Sequence, residues 1–469
     1  MMTERTDIVQ DDNVIPSFVK RNNNLNKILI SIAIVIFFFL ISIASFLFYN
    51  KSLATKTVTP TSGTRMLHSR NQKQSQLWTH VSLTQSGANQ SEPLFSYKMQ
   101  SANGIAALQT LYNNSSGSPS RGLFCTGIPT GTCWWESANE LNTIITYMEQ
   151  AHSKTYIHDI GRTFSYAANE ELHSTGPFLD RYYDDDGWWA MTWINAYQLT
   201  GNIAYLHMAE NIFTYIRTYG WSTACGGGVW QFAGLGQKNQ LPTKDAIVNA
   251  LYIALAARLY QETHNQIYLQ GDAGALATMS WFLHSGYITS QGRQRYLVNG
   301  SLSSATCQPV TGYKQSNVQG MIIGALVNIY QITKNQAYLN LAQNIADAVL
   351  IDRNNSNPPL VDRNGVLTEA CTHAPDCNQS PAKSYLQYKG IFMRNLYCLN
   401  NVARAAKYSA FLTQNASWLI KTYPADNNPV FYGFSWDSYS VQSPNQATQG
   451  SALDLLNALI GGSDAMCQG

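Results

Sequence analysis

Apolar residues recur at steps of three and four positions over most of the chain from about residue 97 onward, as at Ile247, Ala250, Leu251, Ala254 and Leu255. This spacing places apolar side chains on one face of an α-helix, and the sequence has no long alternating pattern of the kind that predicts strands. Loops between the helices carry the glycines and prolines. The pattern predicts an all-α chain with helices near residues 100–112, 135–150, 153–169, 187–200, 203–218, 244–263, 267–285, 316–333, 336–351, 388–405, 407–422 and 449–460.

A ten-residue segment occurs three times between consecutive predicted helices. The copies, Tyr197–Leu206, Tyr260–Leu269 and Tyr330–Leu339, share the pattern Tyr-Gln-x-Thr-x-Asn-x-x-Tyr-Leu. Their starts lie 63 and 70 residues apart, the length of one helical hairpin with a variable loop. Residues 96–469 are therefore expected to form six hairpins closed into an (α/α)6 toroid. An open helical solenoid is the alternative, although its period is more often shorter and constant.

The N-terminal part of the chain has a different pattern. Residues 28–49 are 22 consecutive positions without a charge, and as a helix they are about 33 Å long, enough to cross a bilayer. Residues 1–27 are polar and predict a cytoplasmic tail, whereas residues 50–95 are rich in Thr, Ser, Gln and Asn and predict a linker. We expect a transmembrane signal-anchor. A signal peptide cleaved near Ser52-Leu53-Ala54 is the alternative.

The cysteines indicate on which side of the membrane the globular part lies, since the lysines and arginines flanking residues 28–49 give only a weak signal. All eight lie after residue 120, and two pairs, Cys125/Cys133 and Cys371/Cys377, are close in sequence. This distribution predicts disulfides and an oxidising compartment, so the globular part is expected on the extracytoplasmic side, periplasmic or extracellular. A zinc site around Cys371–Cys377 is the alternative, but no second ligand pair stands at finger-like spacing.

Composition limits the classes of ligand. Charged residues make up 12% of the chain and the net charge is +2, so nucleic acid or another anionic polymer is not indicated as a partner. A surface of amides and hydroxyls, together with 11 Trp and 27 Tyr, suits a neutral hydroxylated ligand such as a polysaccharide.

The segment Tyr182–Trp189 contains three consecutive aspartates between two tyrosines and two tryptophans. One aspartate would serve as a helix N-cap, but three like charges at one helix start need a further reason. Adjacent carboxyl groups can approach the ~5–5.5 Å separation of retaining glycosidases, while a wider spread would allow inversion, so spacing alone leaves both mechanisms open. Their mutual repulsion also raises one pKa, which separates a proton donor from an ionised partner.

A metal site is a less suitable explanation for the aspartates, because calcium loops place oxygen ligands at alternating positions. The nine histidines form no H-E-x-x-H or other metal pattern. We therefore expect neither a metal nor a cofactor.

The motifs around these aspartates strongly resemble glycoside hydrolase family 76. The matching segments, in order, are Asp184-Asp185-x-x-Trp188-Trp189-Ala190, Trp193–Gly201, Gly226–Trp230, Lys244–Asn249, Gln319-Gly320, Gly365–Glu369 and Lys389–Arg394. The resemblance covers about residues 100–460. It implies an (α/α)6 fold and a retaining mechanism with Asp184 as nucleophile and Asp185 as acid/base. Asp186 is expected to cap the helix and to border the substrate.

The expected substrate is α-1,6-linked mannan, bound by a monomer that is attached to the membrane through its N-terminal helix. Transglycosylation onto another glycan and non-catalytic glycan binding are the alternatives. About half of the tryptophans should belong to the core, and lysines and arginines are more often surface charges. The candidate substrate-binding residues are Tyr183, Asp186, Trp188, Trp189, Trp134, Trp135, Gly227, Trp230, Asp245, Asn249, Gln319, Glu369, Lys389 and Arg394.

Overall fold

The computed structural model describes residues 91–116, 118, 121–125, 133–168, 176–234, 242–312, 314–369, 382–424, 429–439, 444–461 and 467. The predicted tail (1–27), signal-anchor (28–49) and nearly all of the linker (50–95) lie outside the described residues, as does the Cys371/Cys377 pair. Among the helices in these ranges, none combines the length and apolar character needed to cross a bilayer.

Thirteen α-helices make up most of the described chain. They are α1 Ser91–Gln109, α2 Trp134–Gln150, α3 Ile157–Ala167, α4 Tyr183–Thr200, α5 Ile203–Tyr215, α6 Ala246–Thr263, α7 Gln266–Gln270, α8 Ala275–His284, α9 Ser316–Thr333, α10 Gln336–Leu350, α11 Tyr388–Ala403, α12 Ala406–Thr422 and α13 Gln446–Asn457. A π-helical turn, Ile216–Gly220, continues α5, and short strands form one antiparallel sheet: β1 Lys244–Asp245, β2 Ser301–Leu302 and β3 Pro309–Val310.

Six helices form a closed inner ring. Each of α2, α4, α6, α9, α11 and α13 packs against the next, and α13 packs back against α2. An outer layer is formed by α1, α3, α5, α7 with α8, α10 and α12, each in contact with an inner helix. The described residues thus form the six helix pairs of the predicted (α/α)6 toroid.

The two layers differ in their pattern of burial. Every residue of α6 from Ala246 to Leu259, and of α9 from Ser316 to Ile329, is buried. The outer helix α10 buries one face only, at positions such as Leu339, Ala342 and Ile345. A helix enclosed on all sides needs no polar face, which explains why α6 and α9 are mostly apolar on every side.

The repeated segments form one type of helix–helix turn. In the second copy, His264 has left-handed backbone angles and donates its N–H to the Tyr260 carbonyl, which ends α6. Asn265 then caps α7 by accepting from the Ile267 N–H at 3.1 Å. Gly201 with Asn202, and Lys334 with Asn335, make the same turn. The repeat therefore marks places where an inner helix passes to an outer one.

Helix boundaries differ from the prediction at several places: α1 begins nine residues earlier (91 rather than 100), α3 begins four residues later, α4 four residues earlier, and α13 is displaced by three residues. Helix α4 begins at Tyr183 rather than 187, because the Tyr183 N–H is satisfied by the Gln231 carbonyl and the next two N–H groups by the Asp184 side chain. The predicted helix 267–285 is divided into α7 and α8, because Gly274 lies so close to the Leu269 backbone that no side chain would fit. The three strands were not predicted, since two residues are too few to show an alternating pattern.

Among the cysteines that the structure describes there are three disulfides, in agreement with the prediction from the cysteine count. Cys125–Cys133 joins the predicted neighbouring pair. Cys225–Cys307 links the loop before α6 to the loop between β2 and β3, and Cys398–Cys467 links α11 to a residue beyond α13.

Candidate active site

The sequence motifs converge at one end of the ring. Because consecutive helices are joined as hairpins, the inner helices run parallel to one another and their N-termini meet at the same face. The first turns of α2, α4, α6, α9 and α11 carry most of the candidate residues. The toroid therefore gathers motifs that are up to 250 residues apart around one opening.

Asp184 and Asp185 lie in the first turn of α4, where both side chains are partly exposed. The Tyr183 N–H donates to the Gln231 carbonyl at 3.0 Å, which fixes the start of the helix. The Oδ1 atom of Asp184 has no hydrogen-bond partner in the described structure, whereas backbone N–H groups of the helix start favour the charged form of its carboxylate. Asp184 is thus held with one buried oxygen that no protein group among the described residues satisfies.

A group of carboxylates surrounds this helix start. Asp180 precedes α4, Glu136 lies in the first turn of α2 and Asp245 immediately precedes α6. We call Glu136, Asp180, Asp184, Asp185 and Asp245 the acidic recess. Within the described ranges these side chains do not make a group placed to hold a metal ion.

Burial and like charge raise the pKa values in the acidic recess. Burial, then repulsion from Asp245 and Asp180, raises the pKa of Asp184 to about 7. The pKa of Asp185 is raised well above its usual range by burial, by Asp180 and Asp184 and by Glu136. Both carboxyls therefore hold a proton more tightly than a free aspartate, most of all Asp185, which fits the division between proton donor and nucleophile that paired carboxylates need.

The third aspartate of the triplet lies beneath the recess. Asp186 is fully buried, and its Oδ1 accepts a hydrogen bond from the Asp180 N–H at 2.7 Å. This contact supports the segment before the helix and leaves no surface of Asp186 for a sugar. Asp180 itself was missed by the sequence analysis, because one acid in a loop has no periodicity or motif to distinguish it.

Two of the five candidate tryptophans are partly exposed. Trp135 lies between Trp188 and Tyr388, with ring centroids 6.2 and 6.4 Å away. Trp230 is the other, with the Lys244 Nζ 4.6 Å from its ring centre.

The remaining candidate aromatics are core residues. Trp189 is fully buried and packs against Trp134, which is 5% exposed, with ring centroids 4.9 Å apart. Trp188 is 4% exposed and lies under Arg394. The Tyr183 ring packs on Gly220, where an added Cβ would approach to 2.9 Å. These buried rings belong to the core that supports the acidic recess.

The glycine loop packs against protein. Gly227 and Gly228 have positive φ angles, and a Cβ at Gly228 would lie 2.1 Å from Trp281. Lys244 is fully buried and donates to the carbonyls of Ser222, Ala224, Gly227 and Gly228. Gly227 was a candidate for contact with a sugar. The structure gives a different reason for glycine at 227 and 228, because a side chain at either position would collide with Trp281.

Asn249 and Gln319 are fully buried and hold loops rather than facing the recess. Asn249 accepts from the Val229 N–H at 2.7 Å and donates to the Val229 carbonyl at 3.1 Å. Gln319 makes the same pair of bonds to Val298, at 2.9 and 3.0 Å. We call this arrangement an amide clamp, because one side chain at the fourth position of an inner helix satisfies both backbone groups of a loop residue.

The charged candidates on the far side of the ring are also enclosed. Glu369 accepts from the Ser316 N–H at 2.9 Å, and burial raises its pKa to about 8. Lys389 is fully buried, 4.2 Å from the centre of the Trp436 ring, and burial lowers its pKa to about 7.

Arg394 lies deeper along the ring axis. It donates to Asn139 at 2.7 Å and pairs with Asp454 at 3.4 Å. It also lines a cavity of about 60 Å³ enclosed by α2, α4, α6, α9 and α11.

A toroid of paired helices with two adjacent carboxylates of unequal proton affinity at its mouth defines a class of enzymes that cleave glycosidic bonds. The family model for glycosyl hydrolase family 76 matches residues 96–467, and the chain belongs to this family. It is a glycoside hydrolase.

Relatives and solved structures agree with this assignment. The mannan endo-1,6-alpha-mannosidase DCW1 of Candida albicans is 21% identical over 341 residues, which are 70% of this chain and 72% of the relative. The alignment with DCW1 of Saccharomyces cerevisiae, also 21% identical, covers 55% of this chain and 57% of that protein.

Two structural neighbours share the fold. One is an inactive variant of the alpha-1,6-mannanase GH76A of Salegentibacter sp. HEL1_6 in complex with alpha-1,6-mannotetrose, in which two consecutive aspartates are replaced by alanine. It has a TM-score of 0.64 at 18% identity, covering 78% of this chain and 98% of that one. The other, Dfg5 from Chaetomium thermophilum in complex with glucosamine, has a TM-score of 0.61 at 19% identity, covering 80% and 90%.

Proposed function

We propose that the protein is a retaining glycosidase that cleaves α-1,6-mannosidic linkages in mannan-type polysaccharide. The observation that carries the proposal is the pair Asp184 and Asp185 at the start of α4, adjacent carboxyl groups whose pKa values are both raised by burial and by neighbouring carboxylates. The mannan-cleaving activities named for the relatives, and the mannotetrose bound by the Salegentibacter variant, support the choice of substrate.

In the first step, the Asp184 carboxylate attacks the anomeric carbon while the bond from that carbon to the glycosidic oxygen breaks. Asp185 gives its proton to the departing oxygen, so that Asp185 becomes a carboxylate and Asp184 becomes part of a glycosyl ester. The partly exposed ring of Trp135 is suited to lie against a sugar face beside the pair.

In the second step, Asp185 removes a proton from a water molecule, whose oxygen attacks the anomeric carbon and releases Asp184. This step becomes easier once Asp184 is esterified, because the ester carries no charge to oppose ionised Asp185. A sugar hydroxyl in place of water would give transglycosylation with the same residues.

The test uses the purified full-length chain and separate Asp184→Asn and Asp185→Asn variants, with appearance of reducing ends from α-1,6-mannan as the readout. Each substitution is expected to lower kcat by at least about 100-fold, because a nucleophile or an acid/base is lost. Asp347→Asn, on the outer helix α10 and paired with Lys407 at the surface, is the matched control and should keep full activity.

Full hydrolysis by either active-site variant would disprove the mechanism. Binding of mannan by the wild type without any new reducing ends would favour a glycan-binding protein. Longer products in the presence of an added oligomannoside acceptor would identify a transglycosidase. Other α-glycans and peptidoglycan, tested in parallel, check the choice of polysaccharide.

We also propose where in the cell the enzyme acts. Residues 28–49 serve as a signal-anchor, and the enzyme acts as a monomer on the extracytoplasmic side of the membrane. The three disulfides support an oxidising compartment. Cell fractionation followed by external protease treatment should degrade the toroid while leaving a short membrane-bound fragment. A soluble cytoplasmic protein in that assay would contradict the location.

A further inference from the structure

Lys244 carries a fully buried side chain immediately before Asp245 of the acidic recess. None of the ion pairs in the described part of the chain involves it. The Asp245 carboxylate accepts instead from the Thr243 hydroxyl at 2.6 Å. A buried ammonium group without a carboxylate partner is costly unless other oxygens satisfy its N–H groups.

Main-chain carbonyls satisfy the ammonium group of Lys244. Its Nζ donates to the carbonyls of Ser222 at 2.9 Å, Ala224 at 2.7 Å and Gly228 at 2.9 Å, and also to that of Gly227. We call these four carbonyls the carbonyl cage. Proteins hold desolvated metal ions between carbonyl oxygens in a similar way, so the ammonium group serves this loop as a built-in cation.

The backbone conformation and a disulfide hold the carbonyl cage in place. Cys225 and the three glycines at 226–228 all have positive φ angles, which lets the chain turn tightly enough to bring four carbonyls to one point. The Cys225 carbonyl accepts from the Trp281 indole N–H at 2.8 Å, and the Cys225 sulfur is bonded to Cys307. The cage is therefore attached to α8 and to the loop between β2 and β3.

The same ammonium group contacts the ring of Trp230. The Lys244 Nζ lies 4.6 Å from the centre of this ring and 5.5 Å from that of Trp281, both within the range of a cation–π contact. Gly228, whose carbonyl belongs to the cage, stands two residues before Trp230. Lys244 therefore holds both the ring and the chain that carries it, while part of the ring remains exposed.

Trp230 is joined to the start of the helix that carries the aspartate pair. Its N–H donates to the Gly220 carbonyl at 3.0 Å. The next residue, Gln231, donates its N–H to the Thr243 carbonyl at 2.9 Å and accepts from the Tyr183 N–H at 3.0 Å. Because Tyr183 begins α4, the segment that bears Trp230 bridges the residue before Lys244 and the first turn of α4.

We propose that Lys244 is a positioning residue, whose ammonium group closes the carbonyl cage and holds Trp230 as a platform for one sugar ring of the substrate beside Asp184 and Asp185. An aromatic ring contributes most to binding when its orientation is fixed before the ligand arrives. This inference rests on the proposed function, because it gives a place to part of the mannan chain.

The test compares KM and kcat of the full-length wild type and a Lys244→Met variant on α-1,6-mannotetraose. Methionine keeps much of the apolar volume of lysine but has no N–H groups, so the cage loses its donor. Lys244 does not touch the reacting atoms, so KM should rise about tenfold while kcat changes by less than about threefold. An unchanged KM in a folded Lys244→Met enzyme would overturn the inference.

A double-variant cycle tests whether Lys244 acts through Trp230. Trp230→Ala alone should also raise KM about tenfold. Adding Lys244→Met to Trp230→Ala should change KM by less than about twofold, because the ring that Lys244 holds is already absent. If the two increases in KM multiply instead, Lys244 acts on something other than Trp230 and the inference is wrong.

Arg258→Met is the matched control. Arg258 is another buried cation, on α6, and it donates to the side chains of Asn195 at 2.8 Å and Gln198 at 2.7 Å. Its loss should lower the unfolding temperature and leave KM within about twofold of the wild-type value. A tenfold rise of KM in this control would mean that the loss of any buried cation disturbs binding, which would refute a specific role of Lys244.

If Lys244→Met does not fold, Lys244→Gln takes its place in the cycle, and Trp230→Ala provides a separate decision because Trp230 is partly exposed. An unchanged KM in Trp230→Ala removes the platform and with it the inference. Full activity of the Asp184→Asn and Asp185→Asn variants would instead refute the proposed function. Loss of activity in those two variants with an unmoved KM at Lys244 and Trp230 would refute the inference alone, so the two failures are distinguishable.

Discussion

At the scale of single residues, the acidic recess concentrates like charges that a stable fold would avoid. Asp184 and Asp185 are both repelled by Asp180, and burial deprives them of water. The raised pKa values of both carboxyls show that the folded protein disfavours their charged forms. Function and stability are therefore opposed at these positions, as they commonly are in active sites.

This opposition predicts a pH dependence of stability. The folded-state pKa of Asp184 is about 7, whereas an aspartate in the unfolded chain titrates at about 4. Between these values the folded protein binds more protons than the unfolded one, so the free energy of unfolding falls as pH rises from about 4 to 7. Asp185, whose pKa is also raised, contributes in the same direction.

The Asp184→Asn and Asp185→Asn variants should therefore unfold at higher temperature than the wild type at pH 8 and show a smaller difference at pH 4. Thermal unfolding followed by circular dichroism at both values checks this. Surface-exposed Asp347→Asn provides the comparison and should follow the wild-type curve. Variants that are less stable than the wild type at pH 8 would contradict the argument.

At the scale of elements, the amide clamp is the recurring device that joins loops to the inner ring. Asn249 and Gln319 hold Val229 and Val298. Gln449, at the fourth position of α13, makes a related contact to two loop residues, accepting from the Tyr432 N–H at 2.8 Å and donating to the Val430 carbonyl at 3.0 Å. Each clamp fixes a loop that approaches the face where the recess opens.

Asn249→Ala should lower the free energy of unfolding by about 2–3 kcal/mol, because it leaves the buried N–H and carbonyl of Val229 without partners. Chemical denaturation measures this loss. Asn340→Ala, on the exposed face of α10, removes an amide of the same kind and should change stability by less than about 0.5 kcal/mol. A loss of similar size in both variants would argue against the clamp.

The clamp residues also show which features of the molecule could not be predicted from the sequence. Periodicity and the Tyr-Gln-x-Thr-x-Asn repeat were sufficient to predict the toroid and the hairpin turns, because these features are local. Asn249 and Gln319 were interpreted as sugar ligands, since a motif gives residue types but not the loops that pack over them. The hydrogen bond from the Asp180 N–H to Asp186 could not be predicted either, because it depends on how the segment before α4 folds back.

At the scale of the whole molecule, the disulfides hold segments that are distant in sequence. Cys225–Cys307 has a sequence separation of 82, against 8 for Cys125–Cys133. A longer closed loop restricts the unfolded chain more, and the expected stabilisation is about 4–5 kcal/mol for the longer loop and about 2–3 kcal/mol for the shorter one.

Replacing both cysteines of the Cys225–Cys307 pair by serine should therefore lower the unfolding temperature more than the same change at Cys125–Cys133. Thermal unfolding under non-reducing conditions gives the comparison. The opposite order would mean that native contacts, rather than loop length, decide the contribution of each bond.

The closure of the ring has a consequence for how the protein is made. The seam is formed by α2 and α13, where Thr143 donates to Asp454 at 2.7 Å and Asn457 donates to the Thr143 carbonyl at 2.9 Å. On the ribosome α2 emerges more than 300 residues before its partner, so the side of α2 that meets α13 waits uncovered during most of translation. The ring closes only when the last inner helix has emerged, so the inner helix that is synthesised first waits longest for one of its two neighbours.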